Sequence, residues 1–140
     1  MNEPIIISIV APVYGVERFI GRFAESVLSQ SYPHIQFVFV DDGTKDSSID
    51  ILNELIDSRF PHLRERVVIV HKQNAGLPAA RQTGMEYVTG DYVWHVDSDD
   101  WIAEDAVERI VSRILETGSD VIYFGYMKES ADRSKPKPEK

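Results

Sequence analysis

Tyr92-Val93-Trp94-His95-Val96-Asp97-Ser98-Asp99-Asp100-Trp101 decides how this chain folds. Its first five residues are β-branched, aromatic and largely apolar, as a strand should be. Carboxylates follow at once, and Gly90-Asp91 supplies the turn before. Apolar β-runs of the same kind recur upstream at 5–10 (Ile5-Ile6-Ile7-Ser8-Ile9-Val10), 35–40 (Ile35-Gln36-Phe37-Val38-Phe39-Val40) and 67–70 (Val67-Val68-Ile69-Val70), and downstream at 121–124. Helical periodicity fills the gaps. Phe19, Ile20, Phe23, Ala24, Val27 and Leu28 lie on one stripe, as do Ile51, Leu52, Leu55 and Ile56 behind Asp46 as a candidate N-cap. A small-residue helix is expected from Pro78 to a stop at Gly90. Another opens at Glu104-Asp105, carries Ala106, Val107, Ile110, Val111, Ile114 and Leu115, and ends at Gly118.

The order is strand-helix repeated four times, then a fifth strand. It predicts an α/β fold: a three-layer α/β/α sandwich around a mostly parallel, twisted sheet with right-handed crossovers. Ligands of such sheets sit beyond the carboxyl ends of the strands. The residues there are Ala11-Pro12-Val13-Tyr14-Gly15, Asp41-Asp42-Gly43-Thr44, His71 with Asn74-Ala75-Gly76, and Asp97-Ser98-Asp99-Asp100.

The chain has 140 residues, enough for one domain. We expect that domain over residues 1–127 and a disordered tail or linker over 128–140, where Ala131 is the one apolar residue after Met127. The chain contains no cysteine, which excludes disulfides, thiolate metal sites and a Cys nucleophile. Fifteen basic residues face 23 acidic ones, a net charge of −8, which opposes nucleic-acid binding. An acidic chain that handles phosphates wants a divalent cation between carboxylate and phosphate. No run of about 18 apolar residues is present, so no membrane span is expected. The cytoplasm is the default compartment, with a peripheral position at the membrane open for a full-length protein.

Each motif has a plain alternative. Twelve Asp in 140 residues make a chance Asp-x-Asp expected about once in a chain of this composition. Asp97-x-Asp99 is informative by its position, directly after a β-run and before a helix. Asp41-Asp42-Gly43 also reads as a strand-ending turn, Tyr14 as loop packing, and Arg81 as a solvated helix residue. His34, His62, His71 and His95 share no ligand spacing, and His95 reads as a hydrogen-bonded edge or core residue.

Taken in order, four segments resemble a family. They are Ile9-Val10-Ala11-Pro12-Val13-Tyr14, Phe39-Val40-Asp41-Asp42-Gly43-Thr44-Lys45-Asp46, Asn74-Ala75-Gly76 with Ala80-Arg81, and Gly90-Asp91-Tyr92-Val93 leading to Asp97-Ser98-Asp99-Asp100-Trp101. Together they closely resemble the nucleotide-sugar-binding half of the family 2 glycosyltransferases, which have the GT-A fold. The resemblance covers about residues 5–126. Two positions depart from it: Gly15 stands where the family usually has Asn, and Thr44 where it usually has Ser.

The resemblance implies roles. Tyr14 would stack on the nucleobase, a contact worth roughly 1–3 kcal/mol. Asp42 would accept the uracil N–H, with Pro12 and Glu17 lining the same pocket. Asp97 and Ser98 would face the ribose and sugar, and Arg81 the diphosphate or donor sugar. Asp99, with Asp97, would hold Mg²⁺ or Mn²⁺. The implied reaction is inverting transfer from a nucleotide-diphospho-sugar, expected to be a UDP-sugar, to a saccharide or lipid-linked acceptor. The family's catalytic base follows the donor-binding half. No catalytic residue is therefore expected within this chain, and the base is expected beyond Lys140, in the rest of a longer protein of which this is a truncated, N-terminal part. The alternative is a module that binds a nucleotide sugar without transferring it. A receiver domain or haloacid-type phosphatase would need its acids after the first strand, where Ala11-Pro12 stands. A sugar nucleotidyltransferase would need a Gly-rich loop at that place, and a dinucleotide-binding fold its Gly-x-Gly-x-x-Gly.

Overall fold

The computed structural model describes residues 3–118. The strand expected at 121–124 and the tail expected from Lys128 to Lys140 lie outside the described residues, and so does the expectation of a base beyond Lys140. The elements run β1 (Ile7–Val13), α1 (Ile20–Leu28), β2 (Ile35–Asp41), α2 (Ser48–Arg59), a 3₁₀ turn (Pro61–Arg66), β3 (Val67–His71), α3 (Leu77–Met85), β4 (Tyr92–His95) and α4 (Ala106–Thr117). The four strands form one parallel sheet in the order β3-β2-β1-β4.

The two faces separate by strand parity. Ile7, Ile9, Ala11 and Val13 of β1 join Phe37 and Phe39 of β2 in a core with Phe23, Leu52, Ile56, Val107 and Ile114, so α1, α2 and α4 cover this face. Val10, Val38 and Val40 pack with Ala80 of α3 on the other face. The approach of α3 is close. A Cβ on Gly84 would lie 2.5 Å from Val10 Cγ1 and 3.1 Å from Val40 Cγ2, so only glycine lets this helix sit so near the sheet.

The central strand departs from the expected 5–10 and runs on through Pro12. A proline in a central strand normally removes a ladder bond. Here Val96 N–H donates to Val10 C=O, so Val10, and Pro12 two residues on, face β4. The pairing with β4 stops at Val10–His95. The missing N–H of Pro12 therefore falls beyond the end of β4, and its carbonyl accepts the Ser98 hydroxyl at 2.6 Å instead.

The third helix ends earlier than expected, at Met85. Gly90 does not stop it but lies against Ser8, whose Oγ accepts the Gly90 N–H at 2.9 Å. Asp46 is not the N-cap of α2, which is Ser47; Asp46 Oδ1 accepts the Ser48 N–H at 3.0 Å. His95 is an exposed residue at the end of β4 rather than part of the core. Partial burial of its ring and the nearby Arg81 charge lower its pKa, which favours the neutral imidazole.

The end of α1 holds the segment that follows the carboxylates. Gln30 Nε2 donates to Ala103 C=O at 2.6 Å, and Gln30 Oε1 accepts the Val107 N–H at 2.9 Å in the first turn of α4. Ser31 Oγ donates to Glu108 at 2.6 Å. The Arg22 guanidinium lies 3.8 Å from the Trp101 ring centroid, a cation–π contact directly after Asp100.

Candidate nucleotide-sugar site

The carboxyl edge of the sheet gathers the residues that the sequence marks. Asp97, Asp99 and Asp100 follow β4 and each present a carboxylate oxygen, all within 4.8 Å of one another. Three such oxygens repel unless a cation or donor sits among them. Arg81, from α3, donates Nη2 to Asp97 Oδ1 at 2.8 Å. Its Nε is buried and has no hydrogen-bond partner among the described residues. A buried, unsatisfied cationic donor beside an acid cluster is costly unless an anionic group meets it. The donor set is all oxygen, which suits a hard divalent cation such as Mg²⁺ or Mn²⁺.

Tyr14 leaves the end of β1 with 53% of its surface exposed, so its ring is open to a ligand. Glu17 binds across to the next loop, accepting the Ser47 N–H at 3.3 Å. Pro12 is buried, and the part of it that reaches the site is its carbonyl. Ser98 does not stand open to ribose as the resemblance implies. It is 4% exposed and donates its hydroxyl to Pro12, which ties the end of β4 to the end of β1.

Asp42 departs most from expectation. It is 3% exposed, and both its oxygens are met from within the chain. Oδ1 accepts Lys72 Nζ at 3.0 Å and the Ala75 N–H at 3.1 Å. Oδ2 accepts Asn74 Nδ2 at 3.1 Å and the Gly76 N–H at 3.0 Å. Burial opposes ionisation, but the Lys72 ammonium and the two backbone donors outweigh it and hold the pKa below the ordinary carboxylate value. The uracil N–H that the resemblance assigns to Asp42 would meet oxygens already taken by these donors. The neighbouring Asp41 accepts the Thr44 N–H at 2.9 Å and lies 2.8 Å from His71 Nδ1. Gly43 turns between the two loops at φ 73°, and a Cβ there would lie 2.8 Å from Asn74 N.

The sequence reading missed Lys72, and it gave Asp46 only a capping role. Lys72 follows β3 in no recognisable motif, although an ammonium next to the strand end that faces Asp42 is the available signal. Asp46 accepts the hydroxyls of Thr44 and Ser48 and the N–H groups of Ser48 and Glu17. Against the opposing effect of burial, these bonds lower its pKa from 3.8 to about 2. A depressed carboxylate stabilises the fold above its unfolded pKa and loses that contribution as pH falls through its folded pKa. Asp46→Asn should therefore flatten the decline in stability between pH 3.8 and about 2, read by urea unfolding at a series of pH values. An unchanged slope over that window would contradict the role given to Asp46.

Among the described residues no helix is long and apolar enough to cross a membrane.

Residues 8–140 match the family model described as Glycosyl transferase family 2. The chain is 38% identical over 120 residues to glycosyltransferase GlyA of Streptococcus pneumoniae serotype 4, covering 86% of this chain and 16% of GlyA. The crystal structure of S. aureus TarS in complex with UDP-GlcNAc superimposes with a TM-score of 0.79 at 26% identity, over 94% of this chain and 37% of that one. The mannosyltransferase PcManGT from Pyrobaculum calidifontis, solved with GDP-Man and Mn²⁺, gives a TM-score of 0.75 at 19% identity over 95% of this chain and 38% of that one, a likeness of fold. The chain thus spans well under half of each of these proteins, and the fold it shares with the solved ones is GT-A.

Proposed function

Since this chain belongs to glycosyl transferase family 2, we propose that it forms the donor-binding part of an inverting transferase that uses a UDP-sugar. The observation that carries the reading is the convergence of Asp97, Asp99 and Asp100 beside the unpartnered Nε of Arg81. TarS, solved with UDP-GlcNAc and with UDP, supports a uridine donor.

Asp99 and Asp97, with Asp100 beside them, would hold Mg²⁺ or Mn²⁺. A cation bound there supplies Lewis-acid stabilisation of the charge that grows on the departing diphosphate. Arg81, ion-paired to Asp97, adds a fixed positive charge beside the same anion. Its ion pair holds one oxygen of Asp97 in place. Tyr14 offers its exposed ring to the base. Asp42 takes the uracil N–H when Lys72 or Asn74 gives up an oxygen, because these two donors are side chains that can rotate away. Pro12 and Ser98 then act together as the floor of the site, and Glu17 steadies its rim. An acceptor hydroxyl, on a saccharide or a lipid-linked sugar, attacks the anomeric carbon from the face opposite the nucleotide.

A general base for that step works best with a pKa near the working pH. Asp42 and Asp46 are both held below the ordinary value, which suits anchoring. Because the family resemblance places the base after the donor-binding half, we expect the chain alone to bind donor without acceptor-dependent transfer, the base being supplied from beyond Lys140. The test is a melting series with UDP, GDP, CDP and ADP, each with and without Mn²⁺, followed by incubation with radiolabelled UDP-sugars and a panel of sugar acceptors. UDP with Mn²⁺ should give the largest shift, about 2.7 kcal/mol of stabilisation at a hundredfold excess over Kd. Equal shifts with all four nucleotides would remove the uridine assignment. Robust glycoside formation would show that the base lies in this chain and not beyond Lys140.

A further inference from the structure

We propose that Asp46 is a positioning residue for nucleobase binding, because it locks the loop that carries Tyr14 to the loop after β2. The inference rests on the donor reading above, in which Tyr14 stacks on the base.

Tyr14 itself is exposed, so packing does not fix its place. Its orientation depends on the backbone that follows. Gly15 has φ 63°, which turns the chain sharply after the tyrosine. Three consecutive N–H groups of this turn are then tied to the β2–α2 loop and the first residue of α2. Gly15 N–H donates to Thr44 Oγ1 at 2.8 Å, Val16 N–H to Ser48 Oγ at 3.0 Å, and Glu17 N–H to Asp46 Oδ2 at 3.2 Å. The first two acceptors are hydroxyls, and each spends its own proton on Asp46 Oδ1, Thr44 at 2.7 Å and Ser48 at 2.6 Å. One carboxylate thus orients both hydroxyls as acceptors and receives the third N–H directly. Its charge matters, because donation to an anion polarises each hydroxyl and strengthens the next bond in the chain. Glu17 closes the loop from the other side by accepting the Ser47 N–H.

Asp46→Asn keeps the shape but breaks this logic. Its amide has one acceptor and one donor end. Whichever way it turns, an NH₂ group faces an N–H, either that of Glu17 or that of Ser48. Thr44→Val removes the Gly15 contact more gently, with little change in volume.

The test is a double-mutant cycle read by calorimetric titration of UDP in Mn²⁺. Tyr14→Ala should weaken UDP binding by about ten- to a hundredfold, the loss of a base stack. Asp46→Asn should weaken it by about tenfold and Thr44→Val by about threefold, the effects of a stack held less firmly. In the Tyr14→Ala background neither change should weaken binding further, although the loss of stability should persist there. This separation distinguishes positioning from a general loss of fold. Thr44→Val keeps the test open where Asp46→Asn folds poorly. Affinity within about twofold of wild type for both variants, or an undiminished loss in the Tyr14→Ala background, overturns the positioning role while leaving the donor reading intact. A wild-type chain that binds no uridine nucleotide overturns both.

Discussion

Asp42→Ala should destabilise the fold by about 3–5 kcal/mol, because it leaves a partly buried cation and several donors without their shared acceptor. The Lys72 ammonium has a side chain only 17% exposed and loses its anionic partner. The N–H groups of Ala75 and Gly76 lose theirs at the start of α3. The damage spreads along a physical path. Asp42 holds the 72–76 loop, that loop begins α3, and α3 carries Arg81 to Asp97. Asp42→Asn should cost about half as much, since one acceptor oxygen survives. Urea unfolding of the two variants and wild type measures the order. A loss below about 1 kcal/mol for Asp42→Ala, the level of an ordinary exposed carboxylate, would show that water satisfies those donors and that the hub is not structural.

Asp99→Asn should weaken UDP binding in Mn²⁺ by about a hundredfold, by removing one of the charged ligands of a hard cation. Asp99 is exposed, so the change should leave folding stability within about 0.5 kcal/mol of wild type. The same variant should bind UDP equally in Mn²⁺ and in chelator, through the base contacts and Arg81. Asp42→Asn, which keeps one acceptor oxygen for the 72–76 loop and so leaves α3 in place, should show the reverse pattern, with weaker uridine selectivity and a metal effect that persists. Identical binding defects for Asp42→Asn and Asp99→Asn would mean that base and metal contacts are not separate sites.

Much of this is legible in the sequence. The runs at 5–10 and 35–40 are too apolar for a half-solvated strand, and both strands are covered on each face. The stripe of Phe23, Ala24 and Val27 faces the core as its spacing predicts. Position after β4 separated Asp97, Asp99 and Asp100 from chance acid pairs, and the three do converge. The remainder depended on which side of a strand or loop a group faces. The continuation of β1 through Pro12 is invisible until β4 is seen to stop pairing at Val10. The inward turn of Ser98 follows from the same event, since Pro12 C=O would otherwise lack a donor. Lys72 reaches Asp42 across 30 residues of sequence, and no local pattern encodes that contact. Asp46 looked like a cap because it precedes a helix, yet it also accepts the Thr44 hydroxyl and the Glu17 N–H, which tie Tyr14's turn to the loop after β2.

On the proposed reading, one site takes a uridine diphosphate and a divalent cation together. Calorimetric titration of UDP into the chain with and without Mn²⁺, and of Mn²⁺ with and without UDP, tests it most directly. A shared site gives reciprocal coupling, each ligand tightening the other by the same factor of at least about tenfold. UDP affinity that is the same in Mn²⁺ and in chelator would contradict it.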